Sequence, residues 1–179
     1  MYEDLKIILY PDPRLKKASA EVGESQGGLK ELAEKMLALM REHRGVGLAA
    51  PQVGLNIRMF VMNATGEPGG DQIYINPQLS EAEGSEEAEE GCLSLPGVNA
   101  NIIRDKLVKL RARDLAGKIV EREANGFVAR VWQHEFDHLN GVLIIDRMGS
   151  VAKMAHRKTL KELEEKYEEQ HPPKKGKRS

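Results

Sequence analysis

QHEFDHLNG (133–141) places two histidines, His134 and His138, four residues apart, with Glu135 directly after the first. At about 100° per residue of α-helix the two imidazoles lie roughly 40° apart on one face, one turn displaced. Two rings so placed can grip one metal ion. Glu135 sits about 100° further round, too far aside to be an equivalent ligand, yet able to lean over a water on that ion. This is the mechanics of the H-E-x-x-H pattern. Two unrelated surface histidines would give the same pentapeptide, so the rest of the chain decides. Phe136 and Leu139 face other parts of a core.

Working outward, the helix starts at Asn125, a candidate N-cap, and runs through 139, with Gly141 just beyond its end. Before it, KLVKLRARD (106–114) alternates Val108, Leu110 and Ala112 inward against Lys109, Arg111 and Arg113. The turn LAG leads to KIVERE (118–123) as hairpin partner. IRMFVMN (57–63) reads as a strand with Ile57, Met59 and Val61 on one face. IYIN (73–76) reads as a second strand, closed by Pro77. Six glutamates in the ten positions 81–90 repel one another, which predicts an exposed loop or edge. Leu29, Leu32, Met36, Leu39 and Met40 have helical spacing over 28–43, whereas residues 1–24, broken by Pro11 and Pro13, read as an irregular arm. After the central helix, Met154, Leu160, Leu163 and Tyr167 mark a charged C-terminal helix over 151–170. HPPKKGKRS (171–179) reads as a basic, disordered tail. Strands cluster mid-chain, with one helix before and two after. That segregation predicts an α+β fold: mostly antiparallel sheets packed around the central helix, flanked by an N-terminal and a C-terminal helix.

The 179 residues suit one domain, about 1–150, plus that helix and tail. With 27 basic and 28 acidic residues, the chain carries no global pull toward nucleic acid or an anionic membrane. We therefore expect no direct DNA binding and no membrane association. No apolar run approaches the roughly 18 residues of a span. The N-terminus has neither a signal-peptide nor a transit-peptide pattern. The single cysteine, Cys92, excludes an intramolecular disulfide and fits a reducing compartment. Together these features predict a cytoplasmic protein.

A catalytic metal wants three protein ligands and an open position. No H-x-x-G-x-x-H extension follows the helix, as a metzincin protease would require. Upstream, EEGCLSLPG (89–97) offers Cys92, whose thiolate suits a borderline or soft divalent ion. A lone cysteine is also a common small core residue. A third segment, GVGLAAPQVG (45–54), is too rich in Gly and Pro for regular structure. Its Gly45 and Gly47 permit close backbone approach, and Gln52 offers an amide donor and acceptor. P-loop and dinucleotide readings fail for want of G-K-[ST] and G-x-G-x-x-G.

In this order GVGLAAPQ (45–52), EGCLS (90–94) and HEFDH (134–138) resemble the hallmarks of the peptide deformylase family. PQVGLNIRMFVMN, INP, LSLPGV, RARDLAG and HEFDHLNGVLIIDRM extend the resemblance over about residues 5 to 150. It implies a metal-dependent hydrolase that removes the N-formyl group from the formylmethionine of nascent polypeptides and releases formate. It implies Cys92, His134 and His138 as metal ligands and Glu135 as catalytic acid/base. Gln52 and the Leu93 backbone N–H would be donors to the substrate carbonyl. The ligand set alone suggests Zn2+, whereas the resemblance implies Fe2+, with Ni2+ or Co2+ also active. The substrate chain is expected to add beside Val46 and Gly47 as an extra strand. Phe127 and Val131, at i and i+4, are candidates with Val46 for the methionine pocket. Asp137, Glu90 and Arg104 are candidate supports for the histidines. The departures from the family's usual pattern are Asn99, Asp105 and the large Trp132. They bear on pocket shape and substrate preference.

The C-terminal helix and basic tail resemble the extension of the shorter bacterial class. That raises docking near the ribosomal exit, although a solvated amphipathic helix fits equally well. Two other classes are open on the residues alone. A metallopeptidase would need a downstream ligand, and a non-enzymatic module would need a metal closed by four ligands.

Overall fold

Every strand pair within the two sheets of the computed structural model is antiparallel. The structure describes residues 2, 4–23 and 27–172. After a 3-10 turn at Pro13–Lys16, the elements are α1 (Leu29–Glu42), β1 (Gly47–Ala49), a 3-10 turn (Ala50–Val53), β2 (Met59–Met62), β3 (Gln72–Glu83), β4 (Glu86–Gly91), β5 (Asn99–Arg104), β6 (Leu107–Arg113), β7 (Ile119–Asn125), α2 (Gly126–Leu139), α3 (Ile144–Arg147), α4 (Ser150–Ala155) and α5 (Arg157–Gln170). A five-stranded sheet runs β1-β2-β3-β6-β7, and β4 and β5 form a separate hairpin. This is the α+β arrangement expected from the order of periodic segments.

The helix bearing the histidines grows directly out of the last strand. Asn125 ends β7, paired with Leu107, and the Gly126 N–H donates to the Lys106 carbonyl at 3.0 Å. Gly126 takes φ 57°, which costs a residue without Cβ little, so the chain turns from strand to helix with no linker. Asn125 stands at the N-cap position as expected, but its side chain makes no capping hydrogen bond. The apolar stripe of α2 buries Ala129, Trp132 and Leu139 against Phe60, Met62, Tyr74, Val108, Leu110 and Ala112. Trp132 meets Tyr74 edge-on at 6.0 Å. Each large side chain so buried contributes roughly 1.5–3 kcal/mol, which fixes the roll of the helix and so the direction in which its polar side chains point.

Three local expectations are corrected, and one left open is resolved. The strand over 57–63 does not alternate, because β2 is buried on both faces. Met59 and Val61 pack under Leu32, Met36 and Met40 of α1, while Phe60 and Met62 pack under α2. A strand between two layers loses the half-polar pattern. Pro77 does not close the second strand. The ladder to β6 shifts register between Ile75 and Gln78, so β3 continues past a residue that cannot donate. Asn76 takes φ 49° there, and its side chain bonds both the N–H and the carbonyl of Val22. Of the two readings left open for the glutamate-rich stretch, the structure takes the edge: it pairs as the end of β3 and the whole of β4, an edge strand exposed along most of its length, with Glu90 buried. Finally, 47–49 of the Gly/Pro segment is an edge strand, antiparallel to β2.

The C-terminal helix is broken at His156 into α4 and α5. Its Leu163 is buried with Leu95, Val98, Leu143, Ile144 and Met148. The predicted tail lies outside the described residues from 173 onward. Among the described residues, no helix is long and apolar enough to cross a membrane.

Candidate metal and catalytic site

Three elements that are far apart in sequence converge on one cleft. Helix α2 carries His134 and His138, the turn after β4 carries Cys92, and the 3-10 turn after β1 carries Gln52. The Cys92 sulfur and one ring nitrogen from each histidine all lie within 4.8 Å of one another. Cys92 Sγ is 3.3 Å from His138 Nε2, and the two imidazole centroids are 5.0 Å apart. One thiol and two imidazoles, with no fourth protein ligand grouped with them among the described residues, could hold a metal ion in an open site rather than a closed one. The residues present fit a divalent ion.

The support is asymmetric. His134 Nδ1 faces Glu90 Oε2 at 2.9 Å. Burial alone would lower the pKa of this ring, but its bonds to Cys92 and to the Glu90 carboxylate outweigh burial and raise it well above the usual value, so Nε2 offers a lone pair only once an ion displaces its proton. Glu90 in turn accepts from Arg104 Nε at 2.8 Å, Arg104 Nη2 at 2.9 Å and Arg130 Nη1 at 2.8 Å. Burial alone would push the Glu90 carboxyl up. The bonds from Arg104 and His134 outweigh it and hold the group well below the ordinary carboxylate range. Asp137 accepts from Arg104 at 2.5 Å and also pairs with Arg147. Of the expected supports, Glu90 therefore touches a histidine, while Arg104 acts through Glu90. Asp137 bonds no histidine and holds the same arginine from the other side. His138 Nδ1 has no hydrogen-bond partner among the described residues, so the expectation of support for both rings fails at His138. Burial, reinforced by the nearby His134, holds the His138 ring well below its usual pKa, in the neutral form a ligand needs.

Glu135 is 3% exposed, and its Oε2 has no hydrogen-bond partner among the described residues. Burial pushes its carboxyl up to about 7, against the opposing charge of His134. That is the range in which one group can both take and return a proton near neutral pH. Gly47 makes room for it: a Cβ built on Gly47 would lie 2.8 Å from Glu135 Cδ. Gln52 is 1% exposed and its amide orientation is settled by its neighbours. Oε1 accepts from the Ala49 N–H at 2.9 Å, so the NH2 group points to Ser94 Oγ at 3.3 Å and Cys92 Sγ at 3.6 Å.

A cleft of about 320 Å³ opens over this cluster. Its lining includes Val46, Gly47, Gln52, Cys92, Leu93, Phe127, Val131, His134 and Glu135, which is every predicted site residue except the deeper His138. Val131 is buried, whereas Val46 and Phe127 stand at the mouth, 40% and 55% exposed. Arg130, which the sequence reading passed over, also lines it. Its signal was its place one helical turn before His134.

A family model described as polypeptide deformylase matches residues 4–154. The chain belongs to the peptide deformylase family. The peptide deformylase of Rhodopirellula baltica is 43% identical over 166 residues, which cover 92% of this chain and 83% of the relative. The chloroplastic peptide deformylase 1B of Oryza sativa is 41% identical over 168 residues, covering 92% of this chain but 62% of that longer relative. The crystal structure of the Plasmodium falciparum peptide deformylase superposes with a TM-score of 0.89 at 39% identity, covering 93% of this chain and 99% of that one. Peptide deformylases are metal-dependent hydrolases of protein biosynthesis. They remove the N-formyl group from nascent polypeptides, and this is the activity of the present family member. The expected α+β fold agrees with the solved peptide deformylases.

Proposed function

We propose that Cys92, His134 and His138 hold one divalent ion, Fe2+ in the cell, with Ni2+, Co2+ or Zn2+ able to occupy the same site in purified protein. A sulfur beside two imidazoles suits borderline ions, and the choice of Fe2+ follows the family resemblance. The observation that carries the reading is the convergence of these three donors within 4.8 Å beneath a cleft that also holds Glu135 and Gln52.

When bound, such an ion supplies Lewis acidity that polarises the formyl carbonyl and makes water acidic enough to react near neutral pH. Glu135 takes the proton of the attacking water and returns it to the departing amine. The amide N–H of Gln52 and the backbone N–H of Leu93 meet the charge that grows on the formyl oxygen. The Val46 and Gly47 backbone, at the free edge of β1, receives the peptide as an added strand. Val46, Phe127 and Val131 receive the methionine side chain. The reading extends to a catalytic unit over 1–150 acting in the cytoplasm, with the helix over 151–170 as a contact for the ribosome.

Metal analysis of anaerobically purified protein and formate release from formyl-Met-Ala-Ser test this directly. Wild type is expected to contain about one ion per chain and to act only on the formylated peptide. Cys92→Ala is expected to lose both ion and turnover. A Cys92→Ala protein that retains its metal would end the ligand assignment. Unchanged ribosome binding after deletion of 151–179 would end the docking assignment.

A further inference from the structure

Helix α2 meets the β4–β5 hairpin through one polar stripe. Arg130, Gln133, His134 and Asp137 stand at i, i+3, i+4 and i+7, the spacing of a single helix face. Gln133 Oε1 accepts from the Asp105 N–H at 2.9 Å, and its Nε2 donates to the Asp105 carbonyl at 2.8 Å. His134 faces Glu90, and Asp137 faces Arg104. Arg130 reaches furthest. Its Nη1 donates to Glu90 Oε1 at 2.8 Å and to the Ile102 carbonyl at 2.8 Å, and its Nη2 donates to the Glu86 carbonyl at 2.7 Å. One guanidinium, 7% exposed, therefore holds both strands of the hairpin and the carboxylate that orients His134.

This stripe matters because no apolar cluster joins the hairpin directly to α2 among the described residues. The hairpin shares no ladder with the five-stranded sheet. Its buried Ala100 and Ile102 cluster with Leu95, Leu143, Ile144 and Met148, none of them on α2. Cys92 leaves the end of β4, and both histidines ride on α2. The separation of sulfur from nitrogen therefore depends on side-chain bonds between hairpin and helix as well as on packing that reaches α2 only through the chain after it. We infer that Arg130 is a positioning residue for the metal triad, clamping Glu86, Ile102 and Glu90 to α2 one turn before His134 and so setting where Cys92 stands relative to the two rings. This rests on reading Cys92, His134 and His138 as the ligand set. A lysine keeps a positive charge beside Glu90 but lacks the planar fork that spans two acceptors.

The test uses cobalt-loaded full-length enzyme and two readouts: the sulfur-to-cobalt absorption band, and the rate at which excess EDTA strips the ion. Arg130→Met and Arg130→Lys are expected to alter the band and to lose cobalt on the order of tenfold faster, with kcat reduced and KM little changed. Gln133→Leu lies on the same stripe but touches neither Glu90 nor β4. It is expected to lower the melting temperature while leaving the band and the stripping rate as in wild type. Should Arg130→Met fail to fold, Arg130→Lys decides. A wild-type band and stripping rate in Arg130→Lys overturns the inference, as does Gln133→Leu losing cobalt as fast as the arginine variants. A wild-type protein with no sulfur-to-cobalt band sinks the ligand reading as well, which separates the two failures.

Discussion

The Glu90 carboxylate and the His134 imidazole meet at 2.9 Å, although they stand 44 positions apart with three strands between them in the chain. Glu90 also receives Arg104 and Arg130, so a buried anion is matched by two guanidiniums and one ring N–H. Replacing it with glutamine leaves Arg104 to Asp137 alone and takes from Arg130 its carboxylate partner. Breaking a buried pair in this way costs roughly 3–5 kcal/mol, and loss of a histidine's support weakens metal affinity by about 10–100-fold. Thermal denaturation and metal competition on Glu90→Gln measure the two effects. A variant that melts and binds like wild type would show the carboxylate to be dispensable.

Glu135→Gln separates proton transfer from metal holding. The side chain is buried and one oxygen is unpartnered among the described residues, so the neutral amide is expected to fold at least as well as the acid. Metal content should stay at the wild-type level. Formate release at saturating formyl peptide should fall by about 10²–10⁴, the range for a lost general acid/base. Turnover within a few-fold of wild type would remove Glu135 from the proton path.

Gln52→Leu removes the amide donor next to Cys92 while keeping much of its volume. Losing one donor to a developing oxyanion typically lowers kcat by about 10²–10³, and KM should move much less. The Ala49 N–H also loses its acceptor, so a small fall in melting temperature is expected. Equal changes in kcat and stability across a Gln52→Leu, Gln52→Asn pair would point to a purely structural amide.

Tyr10 provides a pH test of how the C-terminal helix is held. Burial, helped by the hydrogen bond to Glu164 Oε1 at 2.6 Å, pushes the phenol from 10 up to about 12. The protonated form is thus favoured in the folded chain. Its contribution is fully present below pH 10 and is lost as pH rises from 10 to about 12. The melting temperature of wild type should exceed that of Tyr10→Phe at pH 9, and the gap should close toward pH 12. A gap that is constant across this range would show that the phenol does not titrate against folding.

Much of the site was legible because its parts are local. The period of α2 alone put His134 and His138 on one face, and the short motifs around Gln52 and Cys92 named the other pieces. What escaped were features that depend on what lies opposite. The strand at 59–62 looked half-exposed until helices on both sides buried Met59 and Phe60 alike. The glutamates of 81–90 left loop and edge both open because self-repulsion was visible and pairing with β5 was not. Pro77 looked like a terminator because the register shift that accommodates it belongs to the ladder with β6, some 35 residues on. Nothing local showed what Arg130 bonds, because Glu86, Glu90 and Ile102 meet it only across the fold.

By itself the sequence determined the identity and spacing of the donor atoms along each segment, because backbone geometry repeats every 3.6 residues in a helix and every two in a strand whatever surrounds it. Only the tertiary structure decided that Cys92 reaches two histidines more than 40 residues away, that Glu90 supports His134 while His138 Nδ1 goes without a partner, and that Arg130 joins hairpin to helix. Those distances follow from how the hairpin and helix dock, and no local period encodes docking. It is set by which apolar faces can pack together while every buried charge is satisfied.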